Sequence, residues 1–226
     1  MPLRPVLEHS WDLTPGEAVA LQRRLAEKVS EEGGTQGVRT FAALDVAFPR
    51  KRTRAVACLF SWPDLERIET AVAEEEIRFP YVPGLLSFRE APALLSALAR
   101  LEGTPDLLLV DGQGVAHPRR LGIASHLGVI LDVAAIGCAK SVLCGAAEAE
   151  PAQEAGSWTR LLGKDGSVIG ALVRTRARVR PVVVSVGHRI TLERAVEFVL
   201  ACRGRFRLPE PLRTADRISK SDRPAP

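Results

Sequence analysis

The sequence predicts an α/β protein in which a mixed sheet, an antiparallel meander followed by parallel strands, is flanked by helices. Three observations lead there. Extended apolar segments at 41–48, 55–62 and 67–77 succeed one another with only short turns between them. After residue 88, stretches with helically spaced apolar residues alternate with short apolar runs at 107–110 and 133–138, the rhythm of strand–helix–strand units. Both short runs are almost uninterrupted apolar blocks, as expected of strands covered on both faces.

At 226 residues and 46% hydrophobic, the chain can bury one sizeable core, and a single domain over 1–226 is expected. No apolar run approaches the roughly 18 residues of a membrane span. The opening Met1-Pro2-Leu3-Arg4-Pro5 lacks the apolar core of a signal peptide, so a cytoplasmic protein without membrane association is expected. Cys58, Cys138, Cys144 and Cys202 are scattered, with no Cys-x-x-Cys spacing, and are expected as buried thiols rather than metal or redox groups. A net charge of +4, with arginine supplying 26 of the 31 basic residues, is compatible with a polyanionic partner but does not identify one.

Thr14-Pro15-Gly16-Glu17 has the form of a capping box with proline at the first helical position. Ala18, Leu21, Leu25 and Val29 follow at helical spacing, so residues 15–32 are expected as an amphipathic helix ended by Gly33-Gly34. The first strand carries Asp45 inside an apolar run. A lone buried carboxylate is costly unless it is paired, protonated or bound to a cation. Asp45 therefore either holds a turn or an arginine, or ligates a metal, and the metal reading gains once a second strand-end acid is present. The strands at 55–62 and 67–77 join near Pro63-Asp64. Phe79 to Gly84 contains two prolines and cannot be helical. It presents Tyr81, the sole tyrosine, either as a core side chain braced by prolines or as an exposed ring able to stack on bases.

Ser87-Phe88-Arg89-Glu90 repeats the capping-box form before a helix expected at about 88–101, which offers Glu90 a purely structural role, although Pro92 blurs the helix start. Next comes the richest stretch, Pro105 to Arg120. Leu107–Val110 is a strand with Asp111 at its carboxyl end, where open α/β sheets build their sites. Gly112 and Gly114 allow backbone to approach a ligand, and His117, Arg119 and Arg120 follow. The competing reading is an Asp-Gly turn before a solvated basic helix start. A helix is expected from Arg119 to about Ile130, initiated by Pro118. The strand Val133–Cys138 then delivers Lys140 just past its end, as a phosphate contact or a solvated charge.

Val168–Val173 and Val182–Val186 form a further strand pair. Arg174, Arg176, Arg178 and Arg180 alternate between them, so an extended backbone would place all four on one side, as a ridge along a nucleic-acid backbone or a charged guard on a sheet edge. Leu192, Val196, Val199 and Leu200 mark a last long helix closed by Gly204. The proline-rich tail from Leu208 is expected to pack as far as Asp216 and to be flexible beyond about that point, fraying past Ser219.

Three extended segments, then strand–helix alternation with acids at the ends of the first and fourth strands, is the order of an RNase H-like sheet. Seven short motifs narrow it. Pro80-Tyr81-Val82-Pro83-Gly84, Phe88-Arg89-Glu90, Asp111-Gly112-Gln113-Gly114, His117-Pro118-Arg119, Gly122-Ile123-Ala124-Ser125-His126, Ile136-Gly137-Cys138-Ala139-Lys140 and Gly187-His188 occur in that order. Together they closely resemble the endonuclease V family of deoxyinosine-directed nucleases, with similarity from about Trp11 to Asp216.

The resemblance implies that Asp45, Glu90 and Asp111 are catalytic acids coordinating Mg²⁺, for which Mn²⁺ is expected to substitute, and that Asp216 completes the metal-binding cluster. It implies that Tyr81 is a wedge entering the duplex, that Lys140 is a catalytic group at the scissile region, and that His117 is supporting. Gly84, Gly112 and Ile123 would line the lesion pocket. The implied enzyme is a monomer that flips deoxyinosine out of DNA and cuts the second phosphodiester on its 3′ side, leaving 3′-hydroxyl and 5′-phosphate ends. Several carboxylates holding divalent ions suit this chemistry, which must activate water and stabilise a departing oxygen. Hypoxanthine offers an O6 acceptor and an N1 donor without the amino groups of adenine or guanine, so a tight backbone-lined pocket can select it. Two rivals stand beside this reading: an endoribonuclease of the same fold acting on inosine in RNA, and a non-catalytic nucleic-acid binder. Against the second, a retired site has no reason to tolerate Asp45 in an apolar run.

Overall fold

Parallel pairing in the middle of the sheet and antiparallel pairing on both sides of it follow from where the apolar runs fall. In the computed structural model, which describes residues 3–221 apart from the Arg50 side chain, the meander is β1 (Thr40–Ala47), β2 (Arg52–Ser61) and β3 (Arg67–Glu76). Helix α2 (Leu86–Leu98) leads to β4 (Leu107–Val110), and α3 (Ile123–Leu131) leads to β5 (Ala134–Ala139). Then come β6 (Ala146–Ala147), β7 (Trp158–Leu162), β8 (Val168–Val173) and β9 (Val182–His188). Helix α1 (Pro15–Ala26) precedes the sheet, and α4 (Leu192–Ala201) and α5 (Glu210–Ser219) follow it. One sheet results, in the order β3-β2-β1-β4-β5-β9-β8-β7-β6, with β1, β4 and β5 parallel. This is the expected mixed α/β architecture.

Strand periodicity divides the core. Phe41, Ala43, Leu107, Leu109, Ile136 and Cys138 point to the face covered by α4 and α5. Ala42, Leu44, Leu108 and Val110 point to the face covered by α2 and α3. Helix α1 packs outside α2 and α3, where Leu21 and Leu25 meet Phe79, Leu85 and Phe88. Cys58, Cys138 and Cys202 are buried free thiols, as expected, and Cys144 is half-buried. Among the described residues no helix is long and apolar enough to cross a membrane.

Several local expectations are corrected. The capping box of α1 forms, with Thr14 and Glu17 bonding reciprocally, but the helix ends at Ala26 rather than at residue 32. Tertiary bonds capture the chain beyond it: the Ser30 N–H donates to His188 Nδ1 at 3.1 Å and its carbonyl accepts from Arg189 N–H at 2.7 Å. The second capping box does not form. Ser87 lies inside α2, whose N-cap is Leu85, and its hydroxyl pairs with His126 Nδ1 at 3.1 Å. The structural role offered to Glu90 thus falls away. Helix α3 starts at Ile123, four residues after the expected Arg119, because His117 holds the preceding turn: its carbonyl accepts from Arg120 N–H at 2.9 Å and its Nδ1 from Arg119 N–H at 3.2 Å.

The extended course expected for the four arginines, with all of them on one side, is corrected as well. Residues 174–181 are not extended, and Arg174 turns inward to 3% exposure, donating to the carbonyls of Ala152 at 2.6 Å and Pro151 at 2.8 Å and pairing with Glu150 at 2.8 Å. Strands β6 and β7 were not expected from the weak patterning of 141–167. The tail beyond Asp216 is not frayed where it is described: Glu210–Ser219 is helix α5, with Leu212, Ala215 and Ile218 buried. The expectation for residues 222–226 lies outside the described residues.

Candidate active site

Parallel strands bring their carboxyl ends together, and here two adjacent ones place an acid there, Asp45 inside the last part of β1 and Asp111 just past β4. Leu44 of β1 is level with Val110 of β4, so Asp45 and Asp111 follow at equivalent positions, and the Asp111 N–H donates to Leu44 O at 3.0 Å. Helix α5 packs across β1 and β2 and adds Asp216 from a third direction. One carboxylate oxygen from each of Asp45, Asp111 and Asp216 lies within 4.8 Å of the other two. Lys140, one residue beyond β5, sets its ammonium against Asp111 Oδ2 at 2.6 Å and Asp216 Oδ1 at 3.0 Å. Its ammonium is thus ion-paired to two of the acids while remaining half-exposed to the cavity. Lys220 also reaches Asp216, at 2.7 Å.

Burial shapes the charges. Asp45 is 6% exposed and accepts a short hydrogen bond from the Ser219 hydroxyl. Burial, followed by the negative charges of Asp111 and Asp216, still pushes its carboxyl up to about 7 against that bond. Glu90, buried on α2, is pushed up to about 8 by burial and by Asp45 and Asp111. It lines the same cavity but is not one of the three acids that converge within 4.8 Å. Burial acts to raise Asp216 as well, yet the hydrogen bonds from Lys220 and Lys140 hold it below the ordinary range. Three hard oxygen donors with this much mutual repulsion fit a divalent cation, which supplies the charge the protein alone provides only through two lysines.

The acids floor a cavity of about 410 Å³ whose walls include Tyr81, Gly84, Gly112, His117, Ile123 and Lys140. Every site residue expected from the sequence borders this one space. Tyr81 is 70% exposed, so it does not serve as a core side chain. Val82 to Leu85 form a turn, closed by Leu85 N–H donating to Val82 O at 2.9 Å, with Pro83 and Gly84 at its centre. Gly84 takes φ +78°, the left-handed value that a type II turn requires at this position. Its carbonyl accepts from Gln22 Nε2 at 3.0 Å, His117 Nε2 at 3.0 Å and Arg119 Nη2 at 2.7 Å. A carbonyl offers no proton, so His117 carries its hydrogen on Nε2 and accepts at Nδ1. Burial, then Arg119, lowers this imidazole to about 4, so it is neutral near pH 7. The backbone N–H groups of Gly84, Gly112 and Ile123 have no hydrogen-bond partner among the described residues.

Gln22 and Ser219 escaped the sequence reading. A signal for Gln22 was present: one turn after Ala18, it is a polar residue on the apolar face of α1, and it is 1% exposed. Ser219 gave none, because its contact with Asp45 spans 174 residues of sequence.

Comparison with known proteins places this geometry among nucleases. Residues 23–217 match the family model described as Endonuclease V. The Endonuclease V of Thermus thermophilus is 56% identical over 206 residues, covering 89% of this chain and 90% of that protein. The crystal structure of Endonuclease V from Streptomyces avermitilis superposes with a TM-score of 0.88 at 39% identity, covering 97% of this chain and 96% of that one. The Ciona intestinalis Endonuclease V, crystallised with a 24mer DNA containing an inosine followed by a ribo-adenosine, superposes with a TM-score of 0.74 at 25% identity, covering 91% and 95%.

Proposed function

Because the chain belongs to the endonuclease V family, whose members are metal-dependent phosphodiester hydrolases, we propose that it is a Mg²⁺-dependent DNA repair enzyme. It flips deoxyinosine from the duplex and cuts the second phosphodiester on the 3′ side, leaving 3′-hydroxyl and 5′-phosphate ends. The observation that carries this reading is the meeting of Asp45, Asp111 and Asp216 in a cavity also lined by unpartnered backbone donors.

Asp45, Asp111 and Asp216, with Glu90 beside them, would hold the cation. Bound there, it supplies the positive charge that favours deprotonation of an attacking water and stabilises the departing 3′ oxygen. Mn²⁺ shares the preference for oxygen ligands and would serve in its place. Lys140, held between Asp111 and Asp216, offers its ammonium to the scissile phosphate. The free N–H groups of Gly84, Gly112 and Ile123, which line the cavity, suit the O6 and N3 or N7 acceptors of hypoxanthine. Tyr81 stands at the rim, where it can fill the gap left by a flipped base. His117, with both ring nitrogens engaged, supports the Gly84 turn and does not shuttle protons.

Matched DNA and RNA oligonucleotides with a single inosine, incubated with Mg²⁺ or with chelator, test this. Nicking of the DNA substrate is expected with metal and none with chelator. If neither substrate is cut, the enzyme reading fails, and if only RNA is cut, the DNA assignment fails. Tyr81→Ala is expected to lower the preference for inosine over undamaged DNA about tenfold, in line with stacking worth about 1–3 kcal/mol.

A further inference from the structure

The end of the sheet that carries the acids also carries a cluster of cations that meet no acid among the described residues. Strand β9 is antiparallel to β5, with Ala139 paired to Val183, and β8 is antiparallel to β9, with Val173 paired to Val182. The connection 174–181 therefore emerges at the same end as Asp45, Asp111 and Lys140. The α4–α5 connection lies against it: the Thr175 hydroxyl donates to Arg207 O at 2.5 Å and Arg176 Nη1 donates to Arg205 O at 3.1 Å. Arg207 ties both connections to the site, donating to Pro181 O at 2.8 Å and, by a shorter bond, to Lys140 O.

Arg176, Arg178, Arg180, Arg203 and Arg205 are all exposed on these two connections, and none is within ion-pair distance of a carboxylate among the described residues. Arg207 is held below the usual guanidinium range, by burial first and then by the charge of Arg180. The sheet edges are β3 and β6, so these arginines guard no edge strand. Like charges gathered without counter-ions at a nuclease site are stabilised by a polyanion.

We propose that these five arginines form a second contact surface, distinct from the cavity, that grips the sugar–phosphate backbone of the duplex beside the cut. This inference rests on the reading of the chain as a DNA nuclease. The segment 174–181 joins β8 to β9, so it lies one to two strand spacings beyond β5, and the acids lie one and two spacings to the other side. At about 4.8 Å per strand this is roughly 10–20 Å, or about three to six base pairs of duplex.

The test is the salt dependence of binding for Arg180→Gln/Arg203→Gln/Arg205→Gln, none of which has an ion-pair partner among the described residues or a left-handed backbone. Binding to a duplex of about 30 base pairs, with Ca²⁺ in place of Mg²⁺ to prevent cutting, is compared with binding to an inosine strand of about five nucleotides that reaches only the cavity. At roughly 0.9 per phosphate contact, the slope of log K against log salt is expected to shrink by about 2–3 for the duplex, damaged or undamaged. The short strand should bind as before. The corresponding triple lysine variant should restore the slope, which separates lost charge from lost folding. An unchanged duplex slope, or an equal loss on the short strand, would overturn the proposal. Failure of the wild-type protein to nick inosine would instead overturn the nuclease reading, while the slope on undamaged duplex still reports on the arginines.

Discussion

Asp45 concentrates the conflict between stability and chemistry in one carboxyl group. It is the acid inside an apolar strand, held by a single hydroxyl and faced by two more carboxylates. A folded-state value of about 7 against an ordinary 3.8 means that ionisation near pH 8 works against folding unless a cation is present. Asn fills the same volume and still accepts from Ser219 without the charge. Asp45→Asn is therefore expected to stabilise the chelated protein at pH 8 by about 1–3 kcal/mol, read by denaturant unfolding, while abolishing nicking. A variant that is destabilised in chelator, or that still cuts, would remove Asp45 from the charge cluster. Glu90, buried on α2 beside the same cavity, shares that strain. It supplies the nearby but non-convergent carboxyl that a cation coordinated by the other three could draw in.

At the scale of elements, α1 is more than a cover for α2 and α3. Gln22 reaches through its buried face to the Gly84 and Leu121 carbonyls, at 3.0 and 2.7 Å, and accepts from Arg119 Nε. The helix, the Tyr81-bearing turn and the start of α3 are thereby joined at one amide. Gln22→Leu keeps the volume and removes all three bonds, leaving the Leu121 carbonyl without its donor while Gly84 O and Arg119 each keep another partner, at about 1–3 kcal/mol in total. The expected outcome is a fall in melting temperature of several degrees together with a raised KM for inosine DNA and a kcat within about twofold of wild type. An equal fall in kcat with KM unchanged would show that the clamp does not act through substrate recognition.

For the whole molecule, the buried groups set an unusual response to pH. Asp45 and Glu90 have folded-state values, about 7 and about 8, above their unfolded ones, so the stability they allow is present at low pH and is lost as pH rises through those values. His117 and His126, at about 4 and about 3, are depressed below 6.5 by burial first, so the protein loses stability as pH falls from 6.5 towards those values. Below 6.5 the two pairs oppose each other; above 6.5 only the carboxyls titrate. In chelator, stability is expected to fall by about 2 kcal/mol between pH 6.5 and 8.5, and millimolar Mg²⁺ should remove that fall. Thermal unfolding at the two pH values, with and without metal, measures it. A chelated protein equally stable at both would show that the acids are not strained.

The sequence by itself determined the mixed sheet, the placement of Asp45 inside its apolar strand and of Asp111 just past another, and the stiffness of the Tyr81 loop, because apolar run length, glycine and proline act locally. It also carried the family motifs. Only the tertiary structure decided that α1 stops at Ala26, that Ser87 bonds His126 instead of capping α2, and that Arg174 turns inward. It alone made the tail a helix that brings Asp216 to Asp45, Asp111 and Lys140. Each of these depends on partners tens of residues away, and a local pattern states what a segment prefers but not which distant donor or charge will outbid that preference.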